Sequence, residues 1–239
     1  MKKGKKLYEG KAKIIYATQD KNLVIQYFKD DATAFNNQKK STIEGKGVLN
    51  NRISEHILSN LSEIGIKNHL VKRLNMREQL VKLVDIIPIE VLVRNYFAGS
   101  LSKKFGVKEG TKLSDTLIEY CYKSDKLGDP HISTEHILNL GLCELSELEL
   151  IENYSLRVND VLRGIFYAVG INLVDFKLEF GICKKTNQLI LADEISPDTC
   201  RLWDLKTNKK LDKDRFRRDL GNIEDAYLEV LERLNLKLK

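Results

Sequence analysis

A short stretch near the middle of the C-terminal half, "DFKLEFG" at residues 175–181, constrains the fold of this chain most strongly. Asp175, Lys177 and Glu179 alternate with apolar residues, and successive side chains of a β-strand point to opposite faces of a sheet. The stretch therefore predicts a strand with one apolar face and one face that carries acid, base and acid. Such a polar face fits either solvent or a site that holds a metal ion and a phosphate.

A second apolar run at residues 188–195 follows closely, and the two strands are expected to form a hairpin. A three-residue loop at 185–187 would place Glu179 opposite Asp193 and keep each face uniform, whereas a two-residue loop would put a charge on the apolar face. We predict the first register. Facing carboxylates repel each other unless a cation lies between them. Mg²⁺ takes a few carboxylates together with substrate phosphates, so the pair predicts a magnesium site, with a solvated face bridged by Lys177 as the alternative.

The rest of the chain mixes strand and helix patterns without an internal repeat. Expected strands cover parts of 7–30, 68–84, 87–97, 171–183 and 188–195, and expected helices cover 45–64, 99–106, 133–141, 146–169 and 212–235. A break is expected near Asp85–Pro88, residues 111–132 have a loop-rich composition, and a loop is expected after the strand at 188–195. These patterns predict an α+β fold with a smaller N-terminal β-rich lobe, residues 1–84, and a larger α+β C-terminal lobe, residues 85–239.

Composition excludes several classes of function. The 239 residues are 42% hydrophobic, which is sufficient for a buried core, and the net charge is +6. Basic doublets such as Lys103-Lys104 are dispersed, whereas a nucleic-acid face requires a clustered basic patch, so no nucleic-acid binding is expected. The four cysteines form no CxxC pair, the N-terminus lacks the apolar core of a signal peptide, and charges interrupt the most apolar segment, residues 80–97. The sequence predicts a cytoplasmic protein with no membrane association.

The segment "YEGKAKIIY" carries a second charged pattern. Gly10 lies at an expected strand turn and is followed by Lys11 and Lys13 on one face of the next strand. A glycine allows the backbone to approach a phosphate closely, and lysines neutralise its charge. An ordinary exposed hairpin has the same pattern, so this segment alone does not distinguish a phosphate-binding turn from such a hairpin.

A third pattern combines arginine and serine. "VRNYFAGS" places Arg94 near a strand end and Ser100 near a helix start, and Arg201 follows the acidic hairpin. Guanidinium groups near the first turn of a helix make a cradle for an anion. An N-cap serine beside a surface arginine is the alternative.

Together these segments resemble the SAICAR synthetase family, nearly end to end from "LYEGKAK" to "LDKDRFRRDLG". The stretches "IIPIEVLVRNYFAGS" at 86–100 and "LVDFKLEFG" at 173–181 are long and look like family signatures. The blocks "KDDATAFN", "GKGVLNNRIS", "KSDKLGDPHI" and "LADEISPDTCRLWD" add to the resemblance.

The resemblance implies an enzyme that joins L-aspartate to the carboxylate of CAIR, a phosphoribosyl aminoimidazole carboxylate, with ATP and Mg²⁺, in purine biosynthesis. It also implies ATP bound between the lobes and a homodimer. It assigns Gly10, Lys11, Ala12 and Lys13 to the ATP phosphates, Lys82 and Leu83 to the adenine hinge, Glu179 and Asp193 to the metal, Arg94, Ser100 and Arg201 to the CAIR phosphate, and Asp129, Lys123, Asp175 and Lys177 to the reacting region. Some family members carry an acid where this chain has Asn36, so a role of that loop in binding a second magnesium is open.

A carboxylate becomes reactive towards an amine once phosphorylation gives it a good leaving group, so the expected route passes through an acyl phosphate. Its main requirement is charge neutralisation by a metal and lysines. A small-molecule kinase that stops after phosphoryl transfer would use the same acids and lysines, and it is the main alternative. A basic nucleic-acid-binding module is a third.

Overall fold

The computed structural model of the protein describes residues 2–34 and 38–238, so Asn36 and its loop lie outside the described residues. The described chain mixes helices and strands, which confirms the predicted α+β class. None of its described helices is long and apolar enough to cross a membrane.

The first third of the chain forms an antiparallel sheet, a small ribbon and one long helix. The elements are β1 (Lys6–Glu9), β2 (Lys13–Ala17), β3 (Leu23–Phe28), β4 (Asp31–Ala34), β5 (Lys39–Thr42), α1 (Lys46–Glu63), β6 (Leu70–Arg73) and β7 (Glu78–Lys82). The five-stranded sheet has the order β1-β2-β3-β7-β6, and β4 pairs with β5. Asp20 stabilises the β2–β3 turn by accepting a 2.8 Å hydrogen bond from the backbone N–H of Asn22, as expected for this turn-forming residue type.

The remainder of the chain is built on a six-stranded sheet. Its elements are β8 (Val84–Tyr96), α2 (Gly99–Phe105), β9 (Lys112–Tyr122), β10 (His131–Ile132), α3 (Thr134–Asn139), α4 (Leu145–Ala168), β11 (Ile171–Cys183), β12 (Leu189–Ala192), β13 (Cys200–Asp204), α5 (Asp214–Arg217) and α6 (Ile223–Arg233). Strand β11 is central: one edge pairs with β8, and the other pairs with β13 along its first half and with β12 along its second half. The charged face of "DFKLEFG" therefore lies in the middle of the sheet.

One apolar core joins helices α1, α4 and α6 to strands β8 and β11. In α4, Ile151, Tyr154, Val158 and Leu162 recur at helical spacing and are buried, as their sequence pattern predicts. Helix α1 contacts β3, β6 and β7 as well as α4 and α6. It therefore connects the core of the large sheet to the small sheet.

The expected break near Asp85–Pro88 is wrong, because β8 runs through it. The pairing of β8 with β11 shifts register here, between Glu179 and Gly181, and proline is tolerated at such a bulge because its missing N–H is not required. Gly181 is needed at the same place, since a Cβ there would lie 2.5 Å from the backbone oxygen of Asp85.

Three other expectations are also wrong. Within the loop-rich segment 111–132 lies the long strand β9, and the loop expected after residue 195 contains β13. The polar, exposed residues Lys112, Ser114 and Asp115 in the first half of β9 hide the alternation that would have predicted a strand. The expected helix 212–235 is two helices, because Asp219, Gly221 and Asn222 adopt positive φ angles that interrupt it.

Candidate active site

A cleft of about 950 Å³ lies between the two sheets and is lined by both. Every site residue predicted from the sequence lines it: Gly10, Lys11, Ala12, Lys13, Lys82, Leu83, Arg94, Ser100, Lys123, Asp129, Asp175, Lys177, Glu179, Asp193 and Arg201. The fold thus brings together residues from the whole length of the chain, and their individual roles remain predictions.

The predicted hairpin register is wrong. Glu179 lies opposite Ala192 on β12, not opposite Asp193, because the connection between β11 and β12 is one residue longer than expected: the backbone N–H of Cys183 donates to the carbonyl of Gln188. On its other edge Glu179 faces Glu90 of β8. A like-charged cross-strand pair therefore does exist, but its second member is Glu90.

Asp193 nevertheless reaches the same polar face. Asp193 has a φ of 61°, and strand β12 ends directly before it at Ala192. Aspartate adopts this left-handed conformation more readily than most residues. Lys177 connects the acids: its Nζ lies 3.5 Å from Asp193 Oδ2, 3.0 Å from Glu90 Oε1 and within hydrogen-bond distance of Glu179. Three carboxylates thus surround one ammonium group.

Lysines from other elements complete this cluster. Lys13 of β2 forms an ion pair with Asp193, and its Nζ lies 3.0 Å from Glu194 Oε1. Lys123, in the segment after β9, forms an ion pair with Glu179. The pairs made by Lys13 join the small sheet to the large one across the cleft.

The charges in this cluster stabilise one another. Burial would raise the pKa of Asp193, but the ammonium groups of Lys13 and Lys177 hold that pKa well below its usual range. Burial would lower the pKa of Lys177, but Glu179 and Asp193 raise it well above the usual lysine value. Asp193 and Lys177 both stay charged at neutral pH, which suits a site for phosphate and a cation.

The predicted anion cradle is organised by Asp175. Arg94 pairs with Asp175 across β8 and β11, and Arg201 pairs with it across β11 and β13. Arg94 Nη1 donates to Asp175 Oδ2 at 3.0 Å, and Arg201 Nη1 donates to the same oxygen at 2.8 Å. Arg94 Nη2 also lies 3.4 Å from Ser100 Oγ in the first turn of α2. Ala98, not Ser100, occupies the N-cap position, so the serine hydroxyl is not used as a cap.

Gly99 allows Arg201 to reach this position. A Cβ at residue 99 would lie 2.4 Å from Arg201 Nη2, and the φ of Gly99 is 55°. Any other residue would displace the guanidinium group or strain the start of α2.

The predicted nucleotide segment forms the opposite wall of the cleft. Residues 10–13 make the turn between β1 and β2, closed by a 2.8 Å hydrogen bond from the N–H of Gly10 to the carbonyl of Lys13. Lys11 reaches across to Asp125 at 2.8 Å. The wall between this turn and Leu83 is largely apolar, with Ile15, Val24 and Val81 among its lining residues, and is thus suited to a flat aromatic ring.

A model of the SAICAR synthetase family matches residues 6–234 of the chain. The chain belongs to the SAICAR synthetase family. A phosphoribosylaminoimidazole-succinocarboxamide synthase of Pelagibacter ubique (strain HTCC1062) is 70% identical over 238 residues, which are 99% of this chain and 92% of that protein. Membership makes the chain a carbon–nitrogen ligase of purine biosynthesis.

Solved structures of SAICAR synthetases share the fold closely. The phosphoribosylaminoimidazole-succinocarboxamide synthase from Ehrlichia chaffeensis has a TM-score of 0.95 at 53% identity, covering 98% of this chain and 99% of that one. A SAICAR synthetase in complex with ADP has a TM-score of 0.91 at 46% identity, covering 95% and 96%.

The acids of this SAICAR synthetase fold suit a magnesium ion. No group of three or more histidine, cysteine, aspartate or glutamate side chains within residues 2–34 and 38–238 makes a complete metal cage. Mg²⁺ does not need one, since it is commonly held by one or two carboxylates together with phosphates and water. The position of Lys177 Nζ, within reach of both Glu179 and Asp193, shows that a cation at this point contacts both acids.

Sequence reasoning missed several residues of the cleft. Glu90 received no role from the sequence, although its spacing from Arg94 on β8, which puts both side chains on one face of the strand, is a usable signal. Glu194, Asp198, Lys213 and Arg217 also line the cleft. No local spacing identified these four, because their position depends on how the segments around β13 and α5 fold back onto β11.

Proposed function

We propose that the chain catalyses the ATP-dependent ligation of L-aspartate to the carboxylate of CAIR, giving SAICAR, ADP and phosphate, with Mg²⁺ and through an acyl phosphate. The observation that carries this proposal is the arrangement of the cleft. The cluster of acids and lysines around Lys177 lies between the turn at residues 10–13 and the paired arginines at Asp175. This order suits ATP phosphates on one side, the CAIR phosphate on the other and the reacting carboxylate between them.

ATP is proposed to bind with its adenine against the apolar wall near Lys82 and Leu83 and its phosphates beneath Gly10, Lys11, Ala12 and Lys13. The backbone N–H of Leu83 already donates to the carbonyl of Asn22 at 2.8 Å, so this hinge is fixed before a nucleotide arrives. A preformed hinge reduces the ordering cost of binding.

CAIR is proposed to bind through its ribose phosphate to Arg94, Ser100 and Arg201. A planar guanidinium group matches the geometry of a phosphate, and Asp175 holds two of them in place. We assign Asp175 as a positioning residue, since both of its oxygens accept hydrogen bonds from these arginines.

The first chemical step joins two anions, the CAIR carboxylate and the γ-phosphoryl group. Glu179 and Asp193 would hold Mg²⁺, which would supply positive charge to the phosphates, and Lys177 and Lys13 add two ammonium groups that remain protonated. The carboxylate oxygen attacks phosphorus and ADP leaves. The aspartate amine then attacks the acyl carbon, and phosphate leaves with the bridging oxygen. Lys123 and Asp129 line the reacting region.

An ADP-release assay tests the proposal. ADP release is expected to require ATP, CAIR and L-aspartate together for sustained turnover, with SAICAR formed in equal amount. Sustained ADP release with CAIR alone would indicate a small-molecule kinase. No dependence on CAIR at all would refute the ligase assignment.

The remaining expectations belong to the same proposal: a nucleotide lobe of residues 1–84, a substrate lobe of residues 85–239, and a homodimer located in the cytoplasm. Helix α1 contacts elements of both lobes, which favours a fixed arrangement over independently moving lobes. Light scattering of the purified chain measures the oligomeric state.

A further inference from the structure

His69 lies at the point where the small sheet meets the large one. It directly precedes β6, and its backbone N–H donates to the carbonyl of Leu191 in β12 at 2.9 Å. The backbone N–H of Leu191 in turn donates to the carbonyl of Lys67 at 3.0 Å, and Asn68 forms a parallel bridge with Leu191. The segment before β6 is therefore bonded to β12 at the edge of the large sheet.

The same segment holds the proposed adenine hinge. The carbonyl of His69 accepts a 2.8 Å hydrogen bond from the backbone N–H of Lys82, and the carbonyl of Asn68 accepts one of 2.9 Å from Lys82 Nζ. Asn68 is itself fixed, since its side-chain amide donates to the carbonyl of Leu58 and to Ser62 Oγ in α1, both at 2.8 Å. The hinge and β12 thus share one support, which is anchored on α1.

The side chain of His69 extends this connection to an acid that is proposed to hold the metal. The imidazole ring donates a hydrogen bond to the backbone of Asp193, two residues after Leu191. Asp193 has a φ of 61°, and a residue other than glycine keeps such a conformation only where neighbouring contacts fix it. The ring therefore helps to hold the backbone of Asp193, and with it the carboxylate, on the polar face of the cleft.

The carboxylate of Asp193 has other partners, but a nucleotide would displace them. Lys13 and Lys177 both pair with it, and both lysines are proposed to meet phosphate oxygens when ATP binds. These ion pairs therefore do not fix the acid in the loaded site. The contact with His69 is made by the backbone of Asp193, so it remains when the lysines change partners.

The burial of the His69 ring is unfavourable in itself. The residue is 3% exposed and lines the cleft, and its Nε2 has no hydrogen-bond partner among residues 2–34 and 38–238. A buried polar atom without a partner destabilises a protein, and an apolar side chain of similar size avoids that penalty. Stability alone therefore does not account for a histidine at this position.

We propose that His69 is a positioning residue that fixes Asp193 for Mg²⁺ and connects the metal site to the adenine hinge, an inference that rests on the proposed binding of ATP and Mg²⁺ in this cleft. The backbone of His69 holds Lys82, and its ring holds Asp193. One residue then sets how far the metal site lies from the adenine.

Calorimetric titration of ATP into His69→Leu tests this assignment, once with saturating Mg²⁺ and once with EDTA in its place. CAIR and L-aspartate are left out, so that binding is measured without turnover. We expect the variant to bind ATP roughly 3- to 10-fold more weakly than the unmodified chain with Mg²⁺, as for the loss of one hydrogen bond, and equally well in EDTA. Its Tm should stay close to that of the unmodified chain, because an unpartnered buried nitrogen is removed together with the hydrogen bond. A histidine with a structural role only would show a lower Tm and the same response to Mg²⁺.

Two amide variants identify the ring nitrogen that acts. His69→Asn places an amide N–H near the position of Nδ1, and His69→Gln places one near that of Nε2. One of the two is expected to recover most of the Mg²⁺-dependent affinity. His56→Leu is the matched control, since it makes the same chemical change on α1 at a histidine that contacts Asn60, and it should leave ATP binding unchanged under both conditions.

Several results would overturn the assignment. One is an unchanged ATP affinity of His69→Leu with Mg²⁺. Another is an equal loss with and without Mg²⁺, which would make His69 a contact of the nucleotide itself. Failure of both amide variants to recover the loss would also contradict it, as would an unmodified chain whose ATP affinity does not respond to Mg²⁺.

Two further outcomes keep the test decisive. If His69→Leu does not fold, the two amide variants are compared with each other, and equal Mg²⁺-dependent affinities would overturn the assignment. If the unmodified chain binds ATP and Mg²⁺ but forms no SAICAR, the ligase function fails, and the same titrations still decide the role of His69.

Discussion

Among single residues, Asp175 shows how one side chain organises a binding site. It is buried on the central strand β11, and the two neighbouring strands each place an arginine opposite it. The carboxylate offsets two positive charges that would otherwise repel each other in a buried position. Arg94 is also paired with Glu119, and Arg201 with Asp214, so each guanidinium group is held by two acids. The pair is therefore rigid before any phosphate arrives.

Replacement of Arg201 tests the assignment of this pair. Arg201→Lys keeps the positive charge but loses the planar pair of N–H donors that binds a phosphate through two hydrogen bonds, and Arg201→Met loses both the charge and the donors. We expect the KM for CAIR to rise in both variants and by more in Arg201→Met, where removal of a charge-assisted hydrogen bond costs about 1.5–3 kcal/mol. The KM for ATP should change little. Arg233→Met, at an arginine paired with Asp204 and Glu229, serves as the control. A selective loss of ATP affinity would reverse the pocket assignment.

Local residue patterns predicted the strands and helices whose formation depends on those patterns. They failed where contacts between distant segments determine the structure. The alternation in "DFKLEFG" identified β11, its polar face and Lys177 as the cation between acids, and helical spacing identified α1 and α4. The predicted partner of Glu179 was wrong because one residue of turn length changes the register of the β11–β12 hairpin. The pairing of β11 with β8, which places Glu90 opposite Glu179, was not predicted. Lys213 and Arg217 in the cleft wall carried no local signal, since their place follows from tertiary packing.

The end of strand β12 makes a separate prediction. Asparagine tolerates the left-handed conformation of residue 193 about as well as aspartate does, so Asp193→Asn should fold normally. Lys13 keeps Glu194 as a partner and Lys177 keeps Glu179, so the loss of unfolding free energy should be only about 1 kcal/mol. Turnover should fall roughly 100-fold, since the variant removes a charge next to the transferred phosphoryl group.

Thermal unfolding and kcat at several Mg²⁺ concentrations measure the two effects of Asp193→Asn separately. Asp20→Asn, at the exposed β2–β3 turn, is a control for the chemical change alone. Near-normal turnover at saturating Mg²⁺ would contradict a metal-binding role for Asp193, whatever the stability result.

On the scale of the whole molecule, the cleft depends on contacts between the two sheets. Lys13 of the small sheet pairs with Asp193 and Glu194 beside the large one, and Lys11 pairs with Asp125. The lysines proposed to meet ATP phosphates are thus the same ones that connect the sheets. Binding of ATP and Mg²⁺ would exchange these internal partners for phosphate oxygens, so nucleotide binding and the relative position of the sheets are coupled.

The reaction path proposed for this cleft makes the last prediction. The cleft concentrates groups that stabilise phosphate charge, so the CAIR carboxylate itself is expected to attack ATP. In CAIR labelled with oxygen-18 at both carboxylate oxygens, one labelled oxygen bonds to phosphorus in the acyl phosphate. When the aspartate amine displaces phosphate, that bond to carbon breaks and the labelled oxygen leaves with phosphorus. Mass spectrometry should therefore find one labelled oxygen in the released phosphate and one in the amide of SAICAR. Unlabelled phosphate would show that ATP hydrolysis drives the ligation without phosphorylating CAIR, even if the products and their amounts were unchanged.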